Sequence, residues 1–203
     1  MSAQSEPFFF VVQGHKLEVQ RIAGSARTLV FLHEGLGSVA MWRDFPARVA
    51  QATGCSAIVY SRYGYGQSEV LEAPHVFVED ISVASIAEAK TAFQTTDLPQ
   101  KLGRYHADAA KTFWGWNDIW LHPDFRAWNI EDRLPKISCP VLAIQGFDDE
   151  YGTMAQLEAI ARQAGGPVEL LRLASCRHSP HRDQPAVVIE AMSRFIDRLE
   201  GGA

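Results

Sequence analysis

One stretch, Thr28–Ser38 (TLVFLHEGLGS), limits what this chain can fold into more than any other. Leu29-Val30-Phe31-Leu32 is a short apolar run without alternation, the pattern of a strand covered on both faces inside a parallel sheet. The run breaks at once into His33-Glu34-Gly35-Leu36-Gly37-Ser38. Two glycines just past a strand let the backbone turn sharply and leave peptide N–H groups free to face a ligand. In open α/β sheets the ligand crevice lies outside the carboxyl ends of the strands, so this turn is the first candidate for chemistry.

The neighbouring sequence supports a sheet on either side. Phe8–Val12 and Leu17–Ile22 are β-rich runs around Gln13-Gly14-His15-Lys16, a predicted hairpin. Ala40–Ala52 has Trp42, Phe45, Val49 and Ala50 at helical spacing, with Gly54 as a stop, and Ser56–Tyr60 is the next strand. Strand, helix and strand in about 30 residues make a right-handed βαβ unit. Residues 81–133 differ: alanine-rich stretches Ile81–Phe93 and Leu102–Trp116 read as helices and carry most of the large aromatics. Sheet pattern returns with Pro140–Gln145, a helix over Thr153–Ala164, a strand over Pro167–Leu173 and a closing amphipathic helix, Pro185–Leu199.

Bulk properties narrow the function classes. With 203 residues, 47% hydrophobic and 21% charged, the chain holds enough material for a real core. A net charge of −5 without any basic run gives no nucleic-acid signal. Phe8–Val12 is too short to cross a membrane, and the N-terminus lacks a positive segment ahead of it, so no membrane association is expected. The three cysteines, Cys55, Cys139 and Cys176, are odd in number and scattered, which fits reduced thiols and a cytoplasmic setting.

Three loops at strand ends then match one pattern. The chain resembles the α/β-hydrolase superfamily, whose triad runs in the order nucleophile, acid, histidine. HEGLGS resembles the oxyanion loop, which implies Gly35 and Leu36 N–H groups facing a developing oxyanion. SRYGYGQS resembles the arginine-glycine turn after the fourth strand. GFDDEYGT resembles the acid loop; the resemblance places the triad acid at Asp149, three residues after Gly146, in preference to Asp148. CRHSPHRDQP resembles the histidine loop and implies His178 as base, although Arg177 stands where the family usually has glycine. The aromatic helices resemble the family's cap. The implied layout is one α/β domain, a mostly parallel sheet flanked by helices: residues 1–74 form the N-terminal part of the core, 75–135 the helical cap and 136–203 the C-terminal part. The implied activity is hydrolysis of ester, acyl or carbon–carbon bonds in a small, partly apolar substrate, without a cofactor.

The nucleophile is missing. No glycine is followed by a G-x-S-x-G elbow between a strand and a helix: Gly54-Cys55-Ser56 precedes a strand, and Gly66-Gln67-Ser68 is followed too soon by Pro74. The family's fifth strand, with its elbow, belongs between the arginine-glycine turn and the cap, where only Glu69–Pro74 stands. A further parallel strand needs a crossover of about a dozen residues or more. Six extended residues reach at most about 20 Å, enough only to run along one edge of the sheet. The core is therefore abridged at its centre, and the Thr28–Leu32 strand is expected either to pair with Pro140–Gln145 or to be left as an open edge that favours a homodimer.

The remaining candidates divide between function and packing. Glu34 is either a solvated loop charge or a group beside the substrate. Trp114, Trp116 and Trp120 either pack the helices or line an apolar substrate pocket. Ser38 and Ser68 lie close enough to the turns to be weighed as substitute nucleophiles. His181 and Asp183 share a short loop with His178, which offers too few ligands for a metal site, so none is expected. Apart from a working hydrolase, the alternative is a non-catalytic protein that binds a small ligand.

Overall fold

A computed structural model describes residues 6–12, 15–25, 27–62, 65–68 and 77–201 of the chain. The junction expected at 69–74 lies outside the described residues, as do Gln13, Gly14, Tyr63 and Gly64 of the two expected turns. The chain divides into two compact units, one of residues 1–74 with 90–119, the other of 75–89 with 120–203. Each unit thus takes part of the aromatic helical segment.

In the first unit β1 (Phe8–Val12), β2 (His15–Ile22), β3 (Thr28–Leu32) and β4 (Ser56–Tyr60) form a sheet in the order β1-β2-β4-β3. The first two pairings are antiparallel and β3 lies parallel to β4. Helix α1 (Phe45–Thr53) connects β3 to β4, starting at Pro46 and closing on Gly54 at φ +70°, a left-handed conformation that glycine adopts without strain. Phe45, Val49 and Ala50 of α1 are buried with Ile22, Phe31, Ala57 and Val59 of the sheet. The edge of Phe31 meets Phe45 at 6.4 Å between ring centroids.

The opposite face is different. The register sets Phe8 against Val19, Val19 against Tyr60 and Tyr60 against Leu32, one row across four strands. Val30 and Leu32 are 57% and 59% exposed. The expectation that β3 is covered on both faces is therefore corrected; among the described residues of the first unit β3 pairs with β4 and stands last in the sheet order. The sequence accounts for this: only Glu69–Pro74 stands between the turn after β4 and the helical segment, too few residues for the crossover that a further parallel strand needs.

Helices α2 (Asp80–Thr95), α3 (Leu98–Leu102) and α4 (Ala109–Trp120) follow. The helix expected from Leu102 to Trp116 is broken, because α3 stops before Gly103 and Asp108 opens a new helix by accepting the Lys111 N–H at 2.8 Å. Within the first unit Phe93 stacks on the fully buried Phe113, with centroids 3.9 Å apart.

The second unit is built on β5 (Val141–Gly146) and β6 (Val168–Leu173), parallel and joined through α5 (Ala155–Gln163). A short helix α6 (Pro180–Asp183) leads into α7 (Pro185–Gly201). Ala143, Leu157, Ala159, Leu173 and Val188 are buried in this unit. All three cysteines are free; Cys55 and Cys176 are buried and Cys139 is exposed. Among the described residues no helix is long and apolar enough to cross a membrane.

The loops after β5 and β6 approach so closely at Gly146 that a Cβ there would overlap the Cys176 carbonyl. Gly146→Ala is expected to destabilise the protein by at least about 2 kcal/mol, because backbone rather than a flexible side chain must yield; urea unfolding measures it.

Candidate active site

The loop leaving β5 and the loop leaving β6 bring an acid and a base together. Asp149 Oδ1 lies 2.9 Å from His178 Nδ1. Asp149 is held at both oxygens: Oδ1 also accepts the Tyr151 N–H at 2.9 Å, and Oδ2 accepts from Gln145 Nε2 at 3.2 Å. Its side chain is 9% exposed and that of His178 26%. Burial alone raises the Asp149 pKa, but the bonds from His178, Tyr151 and Gln145 outweigh it, and the carboxyl lies below its ordinary value. With Nδ1–H donating to Asp149, the basic lone pair of His178 is on Nε2. Asp148, the competing acid, is exposed, and its N–H donates to the Cys176 carbonyl at 3.0 Å.

Several groups fix the acid loop. Gln145, the last side chain of β5, also donates to the Gly152 and Thr153 carbonyls at 2.6 and 3.2 Å. The Ser82 and Ser85 hydroxyls of α2 donate to the Tyr151 and Glu150 carbonyls, each at 2.5 Å. The Glu79 carboxylate accepts the Thr153 N–H at 2.9 Å and Gln156 Nε2 at 2.7 Å. The Tyr151 ring lies 4.8 Å from the imidazole of His178. Arg177, in place of glycine, is accommodated by two carboxylates: its N–H donates to Asp183 at 2.8 Å and its guanidinium pairs with Glu150 at 3.1 Å. Among the described residues no group of three or more His, Cys, Asp or Glu is placed to hold a metal ion.

The glycine turn after β3 belongs to the other unit and has its own supports. His33 Nε2 accepts the Arg62 N–H at 2.8 Å, so its proton is on Nδ1, which donates to the Glu34 carbonyl at 2.8 Å. His106 Nδ1 accepts the Gly66 N–H at 2.9 Å, and its Nε2 donates to the Leu36 carbonyl at 3.0 Å. Two neutral imidazoles thus tie the turn after β3 to the turn after β4. Burial, the largest effect, lowers the His33 pKa to about 4 and pushes that of His106 down as well. Behind them Glu18 Oε2 accepts from the Ser61 hydroxyl at 2.6 Å and the Gln67 N–H at 3.1 Å.

The amides expected to receive an oxyanion are only partly as foreseen. The Leu36 N–H donates to Glu34 Oε2 at 3.1 Å, because a carboxylate two residues back closes a local ring onto it. Glu34 is exposed, and its carboxylate closes the turn through this bond. Gly35 faces Trp116: a Cβ on it would lie 2.7 Å from the indole Nε1. Trp114 packs edge-on against Phe93 and Phe113, at 5.4 and 5.2 Å. Trp120 is buried in the second unit, edge-on to Phe125 at 5.2 Å between ring centroids.

Solved structures share this architecture. An esterase from Exiguobacterium antarcticum superposes with a TM-score of 0.70 at 16% identity, over 93% of this chain and 98% of that one. The haloalkane dehalogenase DbeA from Bradyrhizobium elkani gives 0.73 at 14%, over 99% and 100%. An α/β hydrolase enzyme from a Medee basin deep-sea metagenome library gives 0.67 at 13%, over 94% and 97%. The chain has the α/β-hydrolase fold. No family model matches its sequence, and no curated protein does. The strand order β1-β2-β4-β3 and the loops that end β5 and β6 are the parts of the α/β-hydrolase fold that carry the turn and the acid–base pair here.

Sequence reasoning missed Gln145, His106, His33 and Glu18. Gln145 had a signal, a lone polar residue closing the apolar strand VLAIQG; His106 had none, since its partners are 40 and 70 residues away.

Protonation of the buried imidazoles sets a pH window. His33 has a lowered folded pKa, so the unfolded chain takes up its proton first as pH falls from 6.5 towards about 4. Stability is expected to drop by up to about 3 kcal/mol over that range, and His33→Gln to flatten the slope, in urea unfolding at a series of pH values. Asp149 acts lower: its contribution is complete above 3.8 and is lost as pH falls through its depressed folded value.

Proposed function

We propose that this chain is an α/β hydrolase by descent whose chemistry was hydrolysis of ester, acyl or carbon–carbon bonds in small, partly apolar molecules, and whose turnover is now absent or much reduced. Two observations support this reading: a supported acid–base pair in the structure and a sequence without the family's nucleophile elbow. Asp149 and His178 are bonded and held, with Nε2 as the basic nitrogen. No G-x-S-x-G elbow exists in the sequence. Ser38 is fully buried, while the Ser68 hydroxyl accepts the Glu18 N–H at 2.7 Å and donates to the Ser61 carbonyl at 2.8 Å. Neither hydroxyl is available to attack a substrate.

What the dyad can still do is general-base chemistry. His178 Nε2 takes a proton from water as the water adds to an ester carbonyl, Asp149 stabilises the imidazolium that forms, and the imidazolium returns the proton to the leaving alkoxide as the acyl C–O bond breaks. Losing a nucleophile removes several orders of magnitude of rate and leaves what binding and the remaining groups supply. A second reading, a non-catalytic protein that binds a small ligand, is favoured by one observation: the Leu36 amide already holds the Glu34 carboxylate, so an oxyanion would have to displace it.

Fluorophosphonate labelling and p-nitrophenyl acetate turnover test the proposal together. No serine is expected to label, and any slow turnover is expected to fall at least about tenfold in His178→Ala. Stoichiometric labelling of one serine, lost in His178→Ala, would sink it. Turnover indifferent to His178→Ala, with a small ligand still bound, would favour the binding protein.

A further inference from the structure

Among the described residues, the face of the first sheet away from α1 is mostly apolar and partly exposed. Its central row, Phe8, Val19, Tyr60 and Leu32, crosses all four strands. Phe10 projects from β1 beside that row and is 59% exposed. Phe10 also forms part of the wall of a groove of about 500 Å³ bounded by β1, β2 and β4, in which Arg21 is the one charged residue among the described residues. Taking partly exposed aromatic and aliphatic side chains together, the face offers on the order of 600 Å² of apolar surface. That is the top of the range for the largest patch on a monomer and close to the ~800 Å² per partner of a standard interface.

We propose that this face is the interface of a homodimer, two copies packed sheet on sheet about a twofold axis. A twofold contact needs a patch that complements itself, and here one face carries both parts. Phe10 is the projecting side chain, and the groove beside Leu17, Ile58 and Tyr60 is the recess. Two sheets about 10 Å apart interdigitate their inner side chains in this way. Charge is compatible with the same face: the chain carries −5 overall, and no carboxylate is found among the described residues that line the groove. Extent distinguishes a second sheet from a small molecule. A ligand filling the groove leaves β3 bare, with Val30 and Leu32 still 57% and 59% exposed, whereas a facing sheet covers them too. The contact is made by the face and not by the open edge of β3, and it does not rest on the hydrolytic reading.

Sedimentation equilibrium of the full chain over roughly two decades of concentration tests the assignment. The wild type is expected to approach twice the chain mass, and Phe10→Glu to remain monomeric with an unchanged circular dichroism spectrum. Val11→Glu is the control: Val11 is 64% exposed, more than Phe10, but alternates to the other face of β1, so its dimer is expected to persist. A wild type monomeric throughout would overturn the proposal, as would Val11→Glu dissociating to the same degree. Saturable 1:1 binding of 1-anilinonaphthalene-8-sulfonate to a monomeric wild type would overturn it in favour of a small apolar ligand.

Discussion

A parallel strand can be added to a sheet only by a chain long enough to travel back to the starting edge. Between the turn after β4 and the helical segment the sequence has only Glu69–Pro74, less than that length, and the arrangement of the first unit agrees with it. Among the described residues β3 pairs with β4 and stands last in the sheet order. One face packs under α1, where Val49 and Val59 are fully buried, and the other presents Val30 and Leu32 to solvent. The same strand that a sequence pattern marks as interior is thus interior on one side only.

The turn after β3 shows how a loop is held without a neighbouring strand. His33 and His106 each bond backbone groups at both ring nitrogens, and Glu18 collects a hydroxyl and an amide behind them. Each bond is modest, but buried polar groups left unpaired would be costly, so the set stands or falls together. Neutral imidazoles suit this task because each supplies one donor and one acceptor, matched here to a carbonyl and an N–H. Glu34 completes the turn from the solvent side by bonding the Leu36 amide.

Elements bounded by glycine or by a sharp change of pattern were legible in the sequence: Thr28–Leu32 and Ser56–Tyr60 form strands with those bounds. Asp149 and His178 were legible through the order of the loops, and the structure sets them at bonding distance. The start of α4 was not, because Asp108 caps it from a stretch whose alanines fit a longer helix equally well. Nor were the surroundings of Trp120, since apolar spacing marks a buried side but does not say what lies against it. The supports contributed by Gln145, His106 and Glu18 depend on partners distant in sequence, which no local pattern encodes.

The supports of the acid–base pair all lie within one unit. Gln145, Tyr151, Ser82, Ser85 and Glu79 belong to the same compact body as Asp149 and His178. Such a cassette keeps its geometry for reasons of folding, because every bond named here forms within one compact body. An aligned aspartate and histidine are therefore a property of how this unit packs, set independently of any substrate.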